Sequence, residues 1–191
     1  MSSITILGLK KAQMLYPSPN QVATVDLEVQ GGNKIKATVK NHELEFTDLE
    51  GSKVYYRCTA DISGLGTTNV RLPFTVSEIS LSGTDLRMWS ITAETGGNSL
   101  AIAGYWLLGF TKDGNVKEYL SPAILAQQGM PLVRGSGKGH YVKIKYENER
   151  LIFRYQHEEW PDGVPHTQAK HVIDKEGQLK WDDEKQTFVV L

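Results

Sequence analysis

Apolar and polar residues alternate with a period of two along most of the chain, and helical periodicity is nearly absent. In "QVATVDLEV", Ala23, Val25, Leu27 and Val29 share one face, and Thr24, Asp26 and Glu28 share the other. In "KVYYRCTA", Val54, Tyr56, Cys58 and Ala60 lie opposite Lys53, Tyr55, Arg57 and Thr59. One dry and one wet face predict antiparallel sheet. "SLAIAGYWLLGF" is apolar at both parities, which predicts a central strand covered on both sides. It leads through the Asp113-Gly114 turn signal of "TKDGN" into a second strand, "VKEYL". In "VRLPFTVSEISLS" the apolar phase slips between Val76 and Ile79, so a bulge or a strand break is expected there, and Pro73 points to an edge position. One short helix is predicted near 121–128, with Ser121 as the cap, Pro122 at the first helical position and Gly129 at the exit.

These elements predict one all-β domain over residues 1–191, a closed antiparallel β-barrel in preference to a two-sheet sandwich. A faint internal repeat relates 33–91 to 140–183: "IKATVKNHELEF" echoes "VKIKYENERLIF", and "DLRMW" echoes "GQLKW". Gly104-Tyr105-Trp106 resembles the Gly-x-Trp of lipocalins, which are calycin-like barrels. In that family the motif opens the barrel, whereas here it falls past mid-chain, too late for a complete barrel to follow, so neither fold nor residue role is carried over.

Turn chemistry sets the register of one hairpin. With Asn148-Glu149 as a two-residue turn, Glu147 faces Arg150, Tyr146 faces Leu151, Ile144 faces Phe153 and Val142 faces Tyr155. Apolar residues then meet apolar ones, and an acid meets a base outside. Asn41-His42 treated in the same way pairs Lys40 with Glu43 and Val39 with Leu44. Extending the second ladder sets His140 opposite His157 on the inward face. Pairing "TQAKHVI" with the strand of His157 brings His171 opposite that residue, giving a row of three histidines at one rim. At the same offset the first module has Asn33 and Glu50, so the architecture does not itself demand histidine there.

Composition narrows the class. The chain has 191 residues, 40% hydrophobic and 23% charged, which suits a folded globule with its own core. A net charge of -1 creates no field toward nucleic acid or an anionic membrane, and no nucleic-acid partner is expected. The outward Lys143, Lys145, Arg150 and Arg154 lack interleaved aromatics and suit a solvated strand face. The single Cys58 forms no internal disulfide, its inward position suits an inert thiol, and no signal peptide or membrane span is legible; a cytoplasmic location follows as an expectation.

Candidate chemistry gathers at the histidine rim. Neutral imidazoles of His140, His157 and His171 converging at a barrel mouth can bind a divalent metal such as zinc. Glu159 shares the inward parity of His157, and these two are the candidate catalytic acid–base groups. The same pattern also suits histidines that only close the end of a sheet. "RGSGKGH" fails the phosphate-loop pattern, because Gly139 follows Lys138 where Ser or Thr is required. Lys138 can still meet an anionic ligand beside His140. The inward Tyr56, Tyr146 and Tyr155 bring hydroxyls into the interior, where a polar-tipped ligand or a protein partner must satisfy them. His42 and His166 fall in turns and are expected to be solvated.

The expected function is therefore binding of a small, partly apolar molecule. Two alternatives are a metal- or histidine-dependent enzyme acting on a small molecule at the barrel mouth, and an interaction or toxin-like β-module using the Ser/Thr-rich "TTNVRLPFTVSEISLS". Homo-oligomer formation is left open.

Overall fold

Period-two alternation resolves into fourteen strands among the described residues of a computed structural model: β1 (Thr5–Leu9), β2 (Gln13–Leu15), β3 (Ala23–Glu28), β4 (Lys34–Lys40), β5 (Glu43–Thr47), β6 (Val54–Thr59), β7 (Phe74–Ser82), β8 (Arg87–Thr95), β9 (Ala101–Phe110), β10 (Val116–Leu120), β11 (Lys138–Glu147), β12 (Arg150–Glu159), β13 (Lys170–Asp182) and β14 (Thr187–Val190). The described residues are 4–19, 22–63, 70–95, 101–112, 114–132, 138–168 and 170–191, with backbone alone at 95, 101–103, 166 and 171. The helix α1 (Pro122–Gln127) forms where expected: the Ser121 hydroxyl oxygen accepts the Ile124 N–H at 3.3 Å, and Gly129 exits at φ 75°.

The strands form three antiparallel sheets. A six-stranded sheet runs β1-β7-β8-β9-β10, with β2 also paired to β7; two four-stranded meanders run β3-β4-β5-β6 and β11-β12-β13-β14. No closed barrel is found: among the described residues every sheet is open, and none closes on itself. The arrangement is a sandwich of three layers. Trp106, Leu108 and Phe110 of β9 pack with Phe46 and Cys58 of the first meander. Their neighbours Tyr105 and Leu107 point the other way, into Phe153 and Tyr155 of the second meander. Strand β9 is thus apolar at both parities because it lies in the middle layer. Phe46, Phe110 and Phe153 are fully buried, each contributing about 1.5–3 kcal/mol.

The same layering explains the phase slip in β7. Its ladder to β8 is continuous from Phe74↔Ala93 to Ile79↔Met88, so no bulge interrupts that pairing. Phe74 and Val76 join the first core and Ile79 the second, because different layers cover the two halves of the strand on opposite faces. The edge expectation is also corrected. Pro73 precedes the strand, and β7 pairs with β1 and β2 on one flank and β8 on the other.

The two echoing hairpins form as expected, with Lys40↔Glu43 and Glu147↔Arg150 closing them, and Asn41 and Asn148 at φ 56° and 50°. They hold different places: β4–β5 is the middle of its meander, whereas β11–β12 begins its own. Trp89 and Trp181, the ends of the second echo, lie in the middle sheet and the second meander respectively. Val54, expected inward, is 38% exposed because a bulge between Phe46 and Thr47 shifts its register.

Candidate functional site

The histidine rim is built by the open end of the β11–β12 hairpin. The two-residue turn starts a ladder that runs without a break to His140↔His157 and Lys138↔Glu159. His140 is 2% exposed and His157 8%. Their Nδ1 atoms are 3.0 Å apart, and the rings stack with centroids separated by 4.6 Å at 20°. The Tyr155 ring lies near-parallel to that of His140, with centroids 6.4 Å apart. On the solvent side, His157 Nε2 meets Glu159 Oε1 at 3.0 Å, and Lys138 Nζ lies 3.9 Å from the same oxygen. Lys138 and Glu159 are each half exposed, whereas the rings they lead to are buried.

Proton placement in this chain of groups is constrained. The His157 hydrogen bond, and beyond it the Lys138 ammonium, hold the Glu159 carboxyl below the usual range, so it is ionised at neutral pH and can only accept. His157 therefore donates from Nε2–H. In neutral His157 the other nitrogen, Nδ1, accepts, and the donor across the pair is His140 Nδ1–H. The pair is therefore joined by hydrogen bonds to a surface carboxylate.

The third strand departs from expectation. β13 presents Ile173 opposite His157 and His171 opposite Glu158, with an irregularity between His157 and Glu158. Val172 is skipped in the ladder and is 56% exposed, as the extra residue of a bulge would be. The expected His157–His171 pairing is thus corrected by two residues, and the rim is apolar on that flank. The His171 side chain lies outside the described residues. Among the described residues no three His, Cys, Asp or Glu side chains are grouped to hold a metal ion.

The tyrosines separate. Tyr155 belongs to the rim; it is fully buried, its hydroxyl donates to the Pro131 carbonyl at 2.7 Å, and burial pushes its pKa up to about 12. Tyr56 lies in the other outer sheet and donates to Glu118 at 2.5 Å, so protein satisfies it. Tyr146 stands at the turn end of β11, far along the strand from His140, with its ring near Gly8. Burial also raises the pKa of the fully buried Cys58 thiol. His42 is half-buried, where solvation was expected; its Nδ1 is buried without a hydrogen-bond partner among the described residues, while its backbone C=O accepts the Ala60 N–H at 2.9 Å. Residues 134–137 of the glycine-rich stretch lie outside the described residues, and β11 follows them as the expected strand.

One residue of the rim escaped the sequence reading. A Cβ at Gly139 would meet the Trp160 ring at 3.4 Å, so the indole lies over this glycine beside the histidines. The signal was available in principle: Trp160 immediately follows Glu159 on the rim strand, and Gly139 immediately precedes His140.

Fold and site together define a class: a three-layer, all-antiparallel β-protein with a buried histidine pair wired to a surface carboxylate. Comparison of the chain with family profiles, curated proteins and solved structures finds no match. No helix among the described residues is long and apolar enough to cross a membrane.

Proposed function

We propose that the protein binds a small, partly apolar molecule at the histidine rim, between the sheets' edge and solvent rather than inside a barrel. The observation that supports this reading is the buried His140–His157 hydrogen bond continued to half-exposed Glu159 and Lys138. Two polar rings in an apolar layer contribute less to packing than apolar residues would, and clustered ionisable groups of this kind collect at binding sites. Trp160 and Ile173 supply apolar surface, and Lys138 supplies positive charge for a polar tip. Anilinonaphthalene sulfonate, an apolar anion whose fluorescence reports binding, tests the reading. Saturable binding that weakens in both His157→Phe and Lys138→Glu supports it. Binding that is absent, or equal in both variants, removes it.

A second reading is favoured by the spacing of the two Nδ1 atoms. At 3.0 Å apart, both can reach one zinc ion at bond lengths of roughly 2.0–2.1 Å. In that reading His140 and His157 are two of the metal ligands, Glu159 is the general base, and the protein is a metal- or histidine-dependent enzyme acting on a small molecule. Elemental analysis of the purified protein and a zinc thermal-shift series separate the two readings. No bound metal and an unchanged Tm leave the first alone.

A further inference from the structure

A second cleft lies away from the histidine rim, where the loop between β2 and β3 passes the β4–β5 turn. Its volume is about 410 Å³, and its apolar walls are Pro17, Pro19, Val22 and Val39. That volume falls within the roughly 300–1,000 Å³ of small-molecule sites. Two cations, Lys40 and Arg71, complete the lining together with Ser18 and Asn41, and among the described residues no carboxylate lines it.

The geometry of the cations is set by the backbone. Asn41 turns the β4–β5 hairpin at φ 56°, and its carbonyl accepts the Leu72 N–H at 2.9 Å. This bond holds Arg71 beside Lys40. Arg71 is exposed and has no carboxylate partner among the described residues. Lys40 gives one of its three N–H groups to Glu45 at 3.0 Å. Glu45 also accepts from Arg57 Nε at 3.0 Å, so it stays paired if Lys40 turns toward the cleft. Val22 is 61% exposed, leaving an apolar wall open to solvent at the mouth.

We propose that this cleft binds a single-chain amphipathic monoanion, with its tail on the proline–valine walls and its carboxylate between Lys40 and Arg71. The charge pattern selects the sign of the head group, and the apolar walls select a hydrocarbon tail. A free carboxylate and an anionic lipid surface share this chemistry, and the experiment tells them apart.

Calorimetric titration of the full chain with sodium decanoate, below its micelle concentration, is the test. Saturable one-to-one binding is expected. Arg71→Glu reverses the head-group charge and Val22→Glu places a charge on the tail wall; both sites are exposed, and circular dichroism verifies folding. Each variant should weaken decanoate binding at least tenfold, decylamine should not bind the wild type, and His157→Phe should leave decanoate affinity unchanged. The last arm separates this cleft from the rim, so either reading can fail without the other. Absence of saturable binding, wild-type affinity in either cleft variant, equal binding of decylamine, or loss in His157→Phe would each overturn the proposal. So would binding confined to phosphatidylglycerol vesicles with none to decanoate, which marks a membrane-surface contact.

Discussion

His140 and His157 stand directly opposite each other across one antiparallel strand pair, both buried, with their Nδ1 atoms 3.0 Å apart. Neither ring is easily replaced alone, because each satisfies a polar atom that the other would strand in an apolar layer.

Energetic coupling between the two is the first expectation. His157→Phe leaves His140 Nδ1 without its cross-strand partner, at a cost of about 1–3 kcal/mol. His140→Phe has a similar cost, while the double variant removes both polar rings together and loses less than the sum. A double-mutant cycle by urea denaturation should give a coupling of about 0.5–3 kcal/mol. Strict additivity would mean that the hydrogen bond contributes nothing.

Acidification tests the link to Glu159. Its pKa is lowered in the folded protein, first by the His157 hydrogen bond and then by Lys138. The contribution of ionised Glu159 is therefore present above the unfolded-state pKa, and is lost as pH falls through the lower folded-state value. Glu159→Gln is expected to be less stable than wild type near neutrality, with the gap closing as the pH drops below the carboxylate range. Chemical denaturation across a pH series measures this. A gap that widens in acid contradicts the arrangement.

Cys58 provides a check on the first core. The thiol is fully buried and its pKa is raised by that burial, so little reactive thiolate forms. Dithionitrobenzoate should label it only after unfolding, at a rate that follows global stability. Rapid labelling of native protein would show that the interface between β6 and the middle sheet opens locally.

Gly104 tests the middle layer. A Cβ at this position would lie 2.1 Å from the Trp106 ring, which is itself 3% exposed and cannot swing into solvent without leaving the core. Gly104→Ala should destabilise by about 1–3 kcal/mol through overpacking. Urea denaturation followed by tryptophan fluorescence would detect it, and an unchanged midpoint would show that the indole has another place to rest.

What could be read from the chain follows from which forces are local. The β11–β12 register was legible to its last pair, because a two-residue turn, matched faces and the Glu147–Arg150 pair all demand one alignment. That alignment alone placed His140 against His157. The Asn41 turn, the Ser121 cap and the double-sided burial of β9 were legible for similar reasons.

The rest depended on contacts between residues distant in the chain. Alternation states that a strand has a dry face but not which sheet dries it, so a barrel and three stacked layers look alike. In β7 the dry face changes sides where one covering layer gives way to the other, and this imitates a bulge in the sequence. Conversely, the irregularity beside His157 left no local mark, and the long loop before β13 let its register move by two residues, replacing His171 with Ile173. The amino-acid sequence by itself determined the strands, their turns and the facing pair of histidines, because those rest on neighbouring residues. Only the tertiary structure decided the layer order, the third neighbour of the histidines and the cleft between Pro17 and Arg71, because each depends on which separate strands the packing brings together.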